Sequence, residues 1–355
     1  MHPIIKQYLE TYKADGILIT SLPNVRYLSG FTGSNAQLLI SSSRKVFFTD
    51  GRYTTQAESE IGKTFEIITY GSGKQLEQII GAIKRDNLKN ILFEADHLRV
   101  KTFEKIKSTD TDISWIALNE TQSAIRVCKS KKEIEKIRDA ISIATDSLSE
   151  ILSSLKAGKA EEEVAFELEF AIKKRGSKKL SFDTIVASGP QGALPHATPS
   201  NKKIKEGELV TIDYGATYEG YHSDETVTVC IGKPDKKQEE VYNTVKEAHD
   251  LAIEAIKPGI TCGELDEIAR AHISKAGYGE NFTHSTGHGV GLEVHEEPGV
   301  TAQSETKLKT GMIITVEPGI YIEGWGGVRI EDMVLVTQNG HEILTKTDKS
   351  LRSIS

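Results

Sequence analysis

Cysteine is scarce in this 355-residue chain, and the three present, Cys128, Cys230 and Cys262, lie far apart. No C-x-x-C pair occurs, which excludes zinc-finger spacing and leaves no disulfide framework. Such usage suits a reducing cytoplasm. Long apolar runs are also missing: nothing approaches the ~20 residues that a membrane-spanning helix needs. The first residues, Met1-His2-Pro3-Ile4-Ile5-Lys6-Gln7, lack the basic-then-apolar order of a signal peptide. Positive charge is in deficit, with 44 Lys and Arg against 51 Asp and Glu for a net charge of −7, which argues against nucleic acid as a partner. The lysine groups Lys129 to Lys132 and Lys202 to Lys205 read as solvated faces.

What is present is enough apolar residue, 38%, for two domains each with its own core. Residues 1–122 alternate short apolar runs, such as Gly16 to Thr20, Lys45 to Thr49 and Asn90 to Phe93, with helical stretches such as Lys74 to Arg85. This predicts a small mixed α/β domain. A long amphipathic helix begins near Ser130, with Ile134, Ile137, Ile141, Leu148, Leu152 and Leu155 on one stripe, and Ser130 with Glu133 forms a capping box. The second domain is therefore placed at 123–355. It reads as a duplication: Leu155-Lys156-Ala157-Gly158, Glu163-Val164 and Lys174-Arg175-Gly176 are echoed 101 residues later by Ile256-Lys257-Pro258-Gly259, Glu264-Leu265 and Lys275-Ala276-Gly277. Each copy then runs into strands that carry two acids.

In the first copy those acids are Asp213 and Asp224. Leu209 to Gly215 and Asp224 to Val229 read as a hairpin centred between Tyr218 and Glu219, which pairs Asp213 with Asp224, Thr211 with Thr226 and Val210 with Val227. Two facing carboxylates repel, and a divalent cation would compensate. The competing reading is that one is protonated or both point to solvent. In the second copy, Glu317 ends the run Met312 to Glu317, and Glu331 lies inside the β-branched run Val328 to Val336, where Arg329 on the same face offers it a salt bridge. Between them, His284 and His288 stand four apart in Phe282-Thr283-His284-Ser285-Thr286-Gly287-His288-Gly289-Val290-Gly291, with glycines on both sides of His288 that allow close backbone approach. Four carboxylates and an imidazole would balance two divalent cations, and such oxygen-rich ligation suits Mn²⁺ or Co²⁺, with Zn²⁺ or Fe²⁺ as alternatives.

These segments resemble the pita-bread metallopeptidases, and within them the Xaa-Pro peptidases, prolidase and aminopeptidase P. The likeness spans the chain, from Asn24-Val25-Arg26-Tyr27-Leu28-Ser29-Gly30-Phe31-Thr32-Gly33-Ser34 in a creatinase-like N-terminal domain to the five acid and histidine positions in order. The resemblance implies an α/β (α+β) protein with a duplicated pita-bread catalytic domain. It implies a metal site of Asp213, Asp224, His288, Glu317 and Glu331, in which Asp224 and Glu331 are shared by two ions and a bridging hydroxide attacks the peptide. By the same likeness, Glu317 shuttles the proton, and His196, His284 and His295 bind substrate and steady the tetrahedral intermediate. Arg329 supports the site. The implied substrates are small peptides with proline in the second position, cut as Xaa-Pro dipeptides or at longer N-termini. The implied assembly is a homodimer, for which Asn24 to Ser34 and the Asp50-Gly51-Arg52-Tyr53 turn are contact candidates, their alternative being to pack within their own domain. A methionine aminopeptidase-like specificity, a metal-free creatinase and a non-catalytic binding module are the competing functions.

Overall fold

Apolar runs without polar interruption predict strands covered on both faces, and the first third of the chain forms such a sheet. The computed structural model describes residues 1–118 and 124–355, so the boundary expected between 122 and 123 lies outside the described residues. The chain divides into two units, Met1–Arg126 and Val127–Ser355.

In the first unit, strands β1 (Gly16–Ile19), β2 (Gln37–Ser41), β3 (Lys45–Asp50), β4 (Glu66–Tyr70), β5 (Asn90–Glu94) and β6 (Ser114–Leu118) form one sheet in the order β4-β3-β2-β1-β5-β6. Helices α1 (Pro3–Thr11), α2 (Leu22–Ser29), α3 (Thr54–Ile61), α4 (Gln75–Arg85) and α5 (Val100–Thr109) belong to the same unit. Period two divides the strand residues: Ile17, Ile19, Leu38 and Phe47 enter one core, and Leu18, Leu39, Val46 and Phe48 enter the other. The segment 24–34 packs within this unit. Asn24 donates to Glu94 at 2.6 Å, and the buried Phe31 ring meets those of Phe47 and Tyr53 edge-on.

The second unit holds two copies of one plan. In the first copy, α6 (Lys131–Leu152) and α7 (Glu161–Lys174) cover β7 (Ile185–Ser188), β8 (Leu209–Tyr214) and, after the short pair β9 (Thr217–Tyr218) and β10 (Tyr221–His222), β11 (Glu225–Ile231). In the second, α8 (Lys236–Ala255) and α9 (Cys262–Lys275) cover β12 (Gly287–Gly289), β13 (Glu296–Val300), β14 (Ile313–Val316), the hairpin β15 (Gly319–Ile322) and β16 (Gly326–Arg329), and β17 (Asp332–Val336). Strand β18 (His341–Ile343) extends that sheet, and β19 (Ser353–Ile354) joins β11 in the first. Matching turns close the helix pairs, with φ 93° at Gly158 and 96° at Gly259, a left-handed conformation that glycine adopts without a Cβ clash. The isolated bridges Ala160–Lys203 and Thr261–Lys307 repeat the same contact in each copy. The Glu133 carboxylate accepts from the Ser130 N–H and hydroxyl at 2.8 and 2.6 Å, starting α6 where the capping pattern places it.

The hairpin register differs from the sequence expectation by two residues. Thr226 pairs with Asp213, Thr228 with Thr211 and Val229 with Val210, so Asp224 is not opposite Asp213. The turn is centred on Glu219 and Gly220, both at positive φ (46° and 82°), as a type I′ turn requires. A slip of two keeps every side chain on its face. Val210, Ile212, Val227 and Val229 enter the core beneath α6 and α7, where full burial of such a side chain contributes about 1.5–3 kcal/mol. Thr211, Asp213, Thr226 and Thr228 share the other face.

The run 328–336 also departs from expectation. It splits at Ile330 and Glu331 into β16, which pairs with β15, and β17, which pairs with β14 and β18. Glu331 therefore sits at a strand entrance, not inside a strand. The lysines read as solvated faces are not all so: Lys129 is buried and pairs with Glu296 at 3.1 Å, its backbone N–H donating to the Gly311 carbonyl at 2.7 Å.

Candidate metal centre

Each half of the duplicated unit delivers its acids at strand ends. Asp213 is the penultimate residue of β8, Asp224 immediately precedes β11, Glu317 immediately follows β14, and Glu331 immediately precedes β17. All four, together with His196, His284, His288, His295 and Arg329, line one cavity of about 560 Å³. Asp224 and Glu331 are buried, at 5% and 1% exposure.

The tightest grouping is Asp224, His288 and Glu331, which offer one donor atom each within 4.8 Å of one another. The His288 Nε2 also lies 3.3 Å from Glu317 Oε1 and 3.6 Å from Asp224 Oδ2. Its Nδ1 is 3.0 Å from the Gly289 carbonyl, an acceptor only, so Nδ1 carries the proton and Nε2 turns its lone pair to the acids. The flanking glycines let this strand lie close to its neighbours: a Cβ on Gly287 would fall 2.0 Å from the Thr315 carbonyl oxygen, and one on Gly289 2.2 Å from that of Glu297. The His288 N–H donates to the Thr315 hydroxyl at 3.0 Å, and that hydroxyl donates to Glu317 at 3.1 Å.

Asp213 has a different partner from the one its strand position suggests. Arg329 donates to Asp213 Oδ2 at 2.7 Å, to Thr226 at 3.1 Å, to the Tyr321 hydroxyl at 3.0 Å and to the Pro195 carbonyl at 3.1 Å. The salt bridge from Arg329 to Glu331 does not form. Glu331 accepts instead from the Thr226 hydroxyl at 2.7 Å. Arg329 ends β16, which pairs with β15, while Glu331 stands outside the strands just before β17, which pairs with β14, so the two do not share the face that an unbroken strand would have given them.

Electrostatics follow from burial and crowding. Burial, then repulsion from Glu331, Asp213 and Glu317, holds the Asp224 carboxyl well above its usual range. Burial and the charges of Glu317 and Asp213 do the same to Glu331. Glu317 is pushed up to about 7, mainly by burial. Burial lowers His288 and His284 to about 4, and lowers His295 as well. The imidazoles are thus neutral, as ligation demands, while the acids are short of positive charge.

This donor set fits divalent cations. The Asp213 Oδ1 is buried and has no hydrogen-bond partner among the described residues. Three acids face a neutral imidazole lone pair across a few ångströms, an arrangement that only protons or cations can hold together.

Three contributors were not singled out in the sequence. Tyr321 is buried on β15, receives from Arg329, and lies 2.8 Å from His284 Nε2. Because the His284 Nδ1 donates to the Ser285 carbonyl at 2.8 Å, Nε2 accepts from the Tyr321 hydroxyl. Thr226 and Thr315 orient Glu331 and Glu317. The alternation of threonine with acid on β8 and β11 was the signal for Thr226. Nothing local marked Tyr321. His196 and His295 lie exposed in the cavity wall, the latter with its ring 4.3 Å from that of His288.

Comparison with known proteins matches residues 135–338 to Metallopeptidase family M24 and residues 4–128 to the Creatinase/Prolidase N-terminal domain. A Xaa-Pro dipeptidase of Pyrococcus horikoshii is 41% identical over 348 residues, covering 98% of this chain and 97% of that protein. Among solved structures, a Xaa-Pro dipeptidase from Bacillus anthracis superposes with a TM-score of 0.94 at 41% identity, over 98% of this chain and 97% of that one. An X-Pro aminopeptidase from Thermotoga maritima gives a TM-score of 0.90 at 38% identity, over 96% and 98%.

Proposed function

The chain belongs to metallopeptidase family M24, with a pita-bread catalytic unit behind a creatinase-type N-terminal domain, and we propose that it hydrolyses the Xaa-Pro bond of small peptides with proline in second position. The observation that carries this reading is the meeting of Asp224, His288 and Glu331 donor atoms within 4.8 Å, in a chain alike end to end with proteins named for Xaa-Pro cleavage.

In this proposal Asp213 would hold one divalent ion, His288 and Glu317 would hold the other, and Asp224 and Glu331 would serve both. The oxygen-rich set favours Mn²⁺, then Co²⁺, with Zn²⁺ or Fe²⁺ as alternatives. When bound, such ions acidify water and polarise a carbonyl. Glu317 takes the proton of the attacking water and passes it to the prolyl nitrogen as that bond breaks. His196 and His295 project into the cavity, where their N–H groups can reach the peptide. His284 is oriented in the same wall by Tyr321 and Ser285. Arg329 keeps Asp213 aimed. Proline matters because the bond before it is a tertiary amide with no N–H and a fixed φ, which calls for a dedicated pocket.

A cytoplasmic homodimer completes the proposal. Cys128, Cys230 and Cys262 are free thiols, no described helix is long and apolar enough to cross a membrane, and the Arg52 side chain is 73% exposed on the turn that would meet a partner. The test is a substrate panel run beside elemental analysis. Cleavage of Xaa-Pro and Xaa-Pro-Xaa peptides with two metal ions per chain supports the reading, and their ratio separates dipeptidase from aminopeptidase P. Preference for Met-Ala-Ser, or metal uptake without any hydrolysis, would instead support the methionine aminopeptidase-like or non-catalytic alternatives.

A further inference from the structure

Asp224 and Glu331, the two acids proposed to serve both ions, are each followed in the chain by a second acid. Adjacent side chains in extended backbone point to opposite sides. Glu225 and Asp332 accordingly turn away from the cavity and into the fold, at 1% and 4% exposure. Glu225 accepts from the Tyr214 hydroxyl at 2.6 Å and from the Lys349 ammonium at 2.5 Å. Asp332 accepts from the Thr345 hydroxyl and lies 3.3 Å from the same Lys349 nitrogen. A single buried ammonium therefore touches the residue next to each shared acid, one from either half of the duplicated unit.

Lys349 lies outside the repeat. It comes from the last segment of the chain, which is tied down by the Tyr242 hydroxyl donating to the Lys349 carbonyl at 3.1 Å and by the pairing of β19 with β11. Burial opposes its charge, but Glu225 and Asp332 outweigh burial and keep its proton affinity above the usual value. The two strand entrances also touch directly, the Glu331 N–H donating to the Thr226 carbonyl at 3.2 Å. With the ammonium removed, the tie that holds Glu225 and Asp332 to one point is lost, leaving the starts of β11 and β17 free to part, and the two bare charges would also repel each other.

We infer that Lys349 is a positioning residue that fixes the spacing of Asp224 and Glu331 across the interface between the two half-units, and with it the spacing of the ion pair these acids would share. The inference rests on the ligand assignment proposed above.

The test uses the full-length protein and two variants, Lys349→Met and the charge-compensated Lys349→Met/Glu225→Gln. The second leaves Asp332 with His249, 3.2 Å away, as its counter-group. Each is stripped with a chelator, titrated with Mn²⁺ by calorimetry and with Co²⁺ by visible absorption, and melted. The wild type is expected to take two ions. In both variants the weaker ion should lose at least tenfold in affinity and the Co²⁺ bands should shift, while KM for an Xaa-Pro dipeptide stays within threefold and kcat falls. The double variant should melt nearer the wild type than the single one, since the stranded repulsion is gone, yet still bind the weaker ion poorly. If the double variant takes both ions with wild-type affinity and an unchanged Co²⁺ spectrum, Lys349 serves stability alone and the inference is wrong. A wild-type chain that takes no ion contradicts the ligand assignment itself, a different failure.

Discussion

Arg329 donates to Asp213 at 2.7 Å and leaves Glu331, two residues further along, to the Thr226 hydroxyl. The guanidinium thus neutralises the acid that has an orphaned oxygen, and the more deeply buried acids Asp224 and Glu331 are left for cations. Removing one partner of a buried pair strands the other, at a typical cost of about 3–5 kcal/mol. Arg329→Ala should therefore lower the unfolding free energy of chelator-treated protein by about 3 kcal/mol in urea titrations. With Mn²⁺ present the loss should shrink, because the ion supplies the missing charge; equal losses in both conditions would show that Asp213 does not face the metal. Arg329→Lys should recover less than half, since a single ammonium cannot reach Asp213, Thr226, Tyr321 and Pro195 together.

Tyr321 joins Arg329 to His284 through one hydroxyl. Tyr321→Phe keeps the ring and deletes both hydrogen bonds, one of them to a charged group, where about 1.5–3 kcal/mol is at stake. The expected outcome is a fall in kcat/KM of roughly tenfold to a hundredfold with Mn²⁺ stoichiometry unchanged. Loss of the metal along with the activity would place Tyr321 in the ligand scaffold instead.

The metal-free protein should lose stability as pH rises, and the stabilisation added by bound metal should grow over the same range. Glu317 is pushed up to about 7, and Asp224 and Glu331 are held well above their usual values. A carboxyl whose folded pKa is raised contributes stability below its unfolded pKa and loses it as pH rises through the folded one. The lowered His284 and His288 act oppositely, losing stability as pH falls from 6.5 toward about 4, so they drop out above pH 6.5. In chelator, then, the melting temperature should fall as pH rises from 6.5 through about 7. With Mn²⁺ the gain over the metal-free form should grow across the same interval, because fewer protons must be displaced. Parallel melting curves with and without metal would count against ligation by these acids.

Gly287 offers a test of the backbone that presents His288. A Cβ there would lie 2.0 Å from the Thr315 carbonyl oxygen, so Gly287→Ala must push β12 from β14. Overpacking of this kind typically costs about 1–3 kcal/mol. Metal affinity should drop by more than tenfold, since the displaced strand carries the ligand. A folded variant with unaltered Mn²⁺ affinity would mean that His288 tolerates movement that a ligand could not.

Much of this site could be read from local pattern. Asp213, Asp224, Glu317 and Glu331 stood out because carboxylates bordering β-branched runs are costly to bury, and the glycines around His288 signalled close approach of backbone. The duplication was visible because its turns need glycine at Gly158 and Gly259. The hairpin centre was misplaced by one position because Glu219, an ordinary residue at positive φ, shares the turn with Gly220. The division of the run 328–336 went unseen, since Ile330 and Glu331 carry no turn signature, and with it the partner of Arg329. Lys349 was out of reach altogether: its contacts with Glu225 and Asp332 span 124 residues and 17 residues of sequence, and no periodicity links them.

Chelator-stripped protein titrated with Mn²⁺ while Ala-Pro hydrolysis is followed, beside Asp224→Ala, tests the ligand set most directly. The wild type should take two equivalents per chain and gain activity with them, while Asp224→Ala should keep its fold, bind at most one ion and show no metal-dependent hydrolysis. Full activity in Asp224→Ala, or Ala-Pro cleavage by wild-type protein free of divalent metal, would contradict the account.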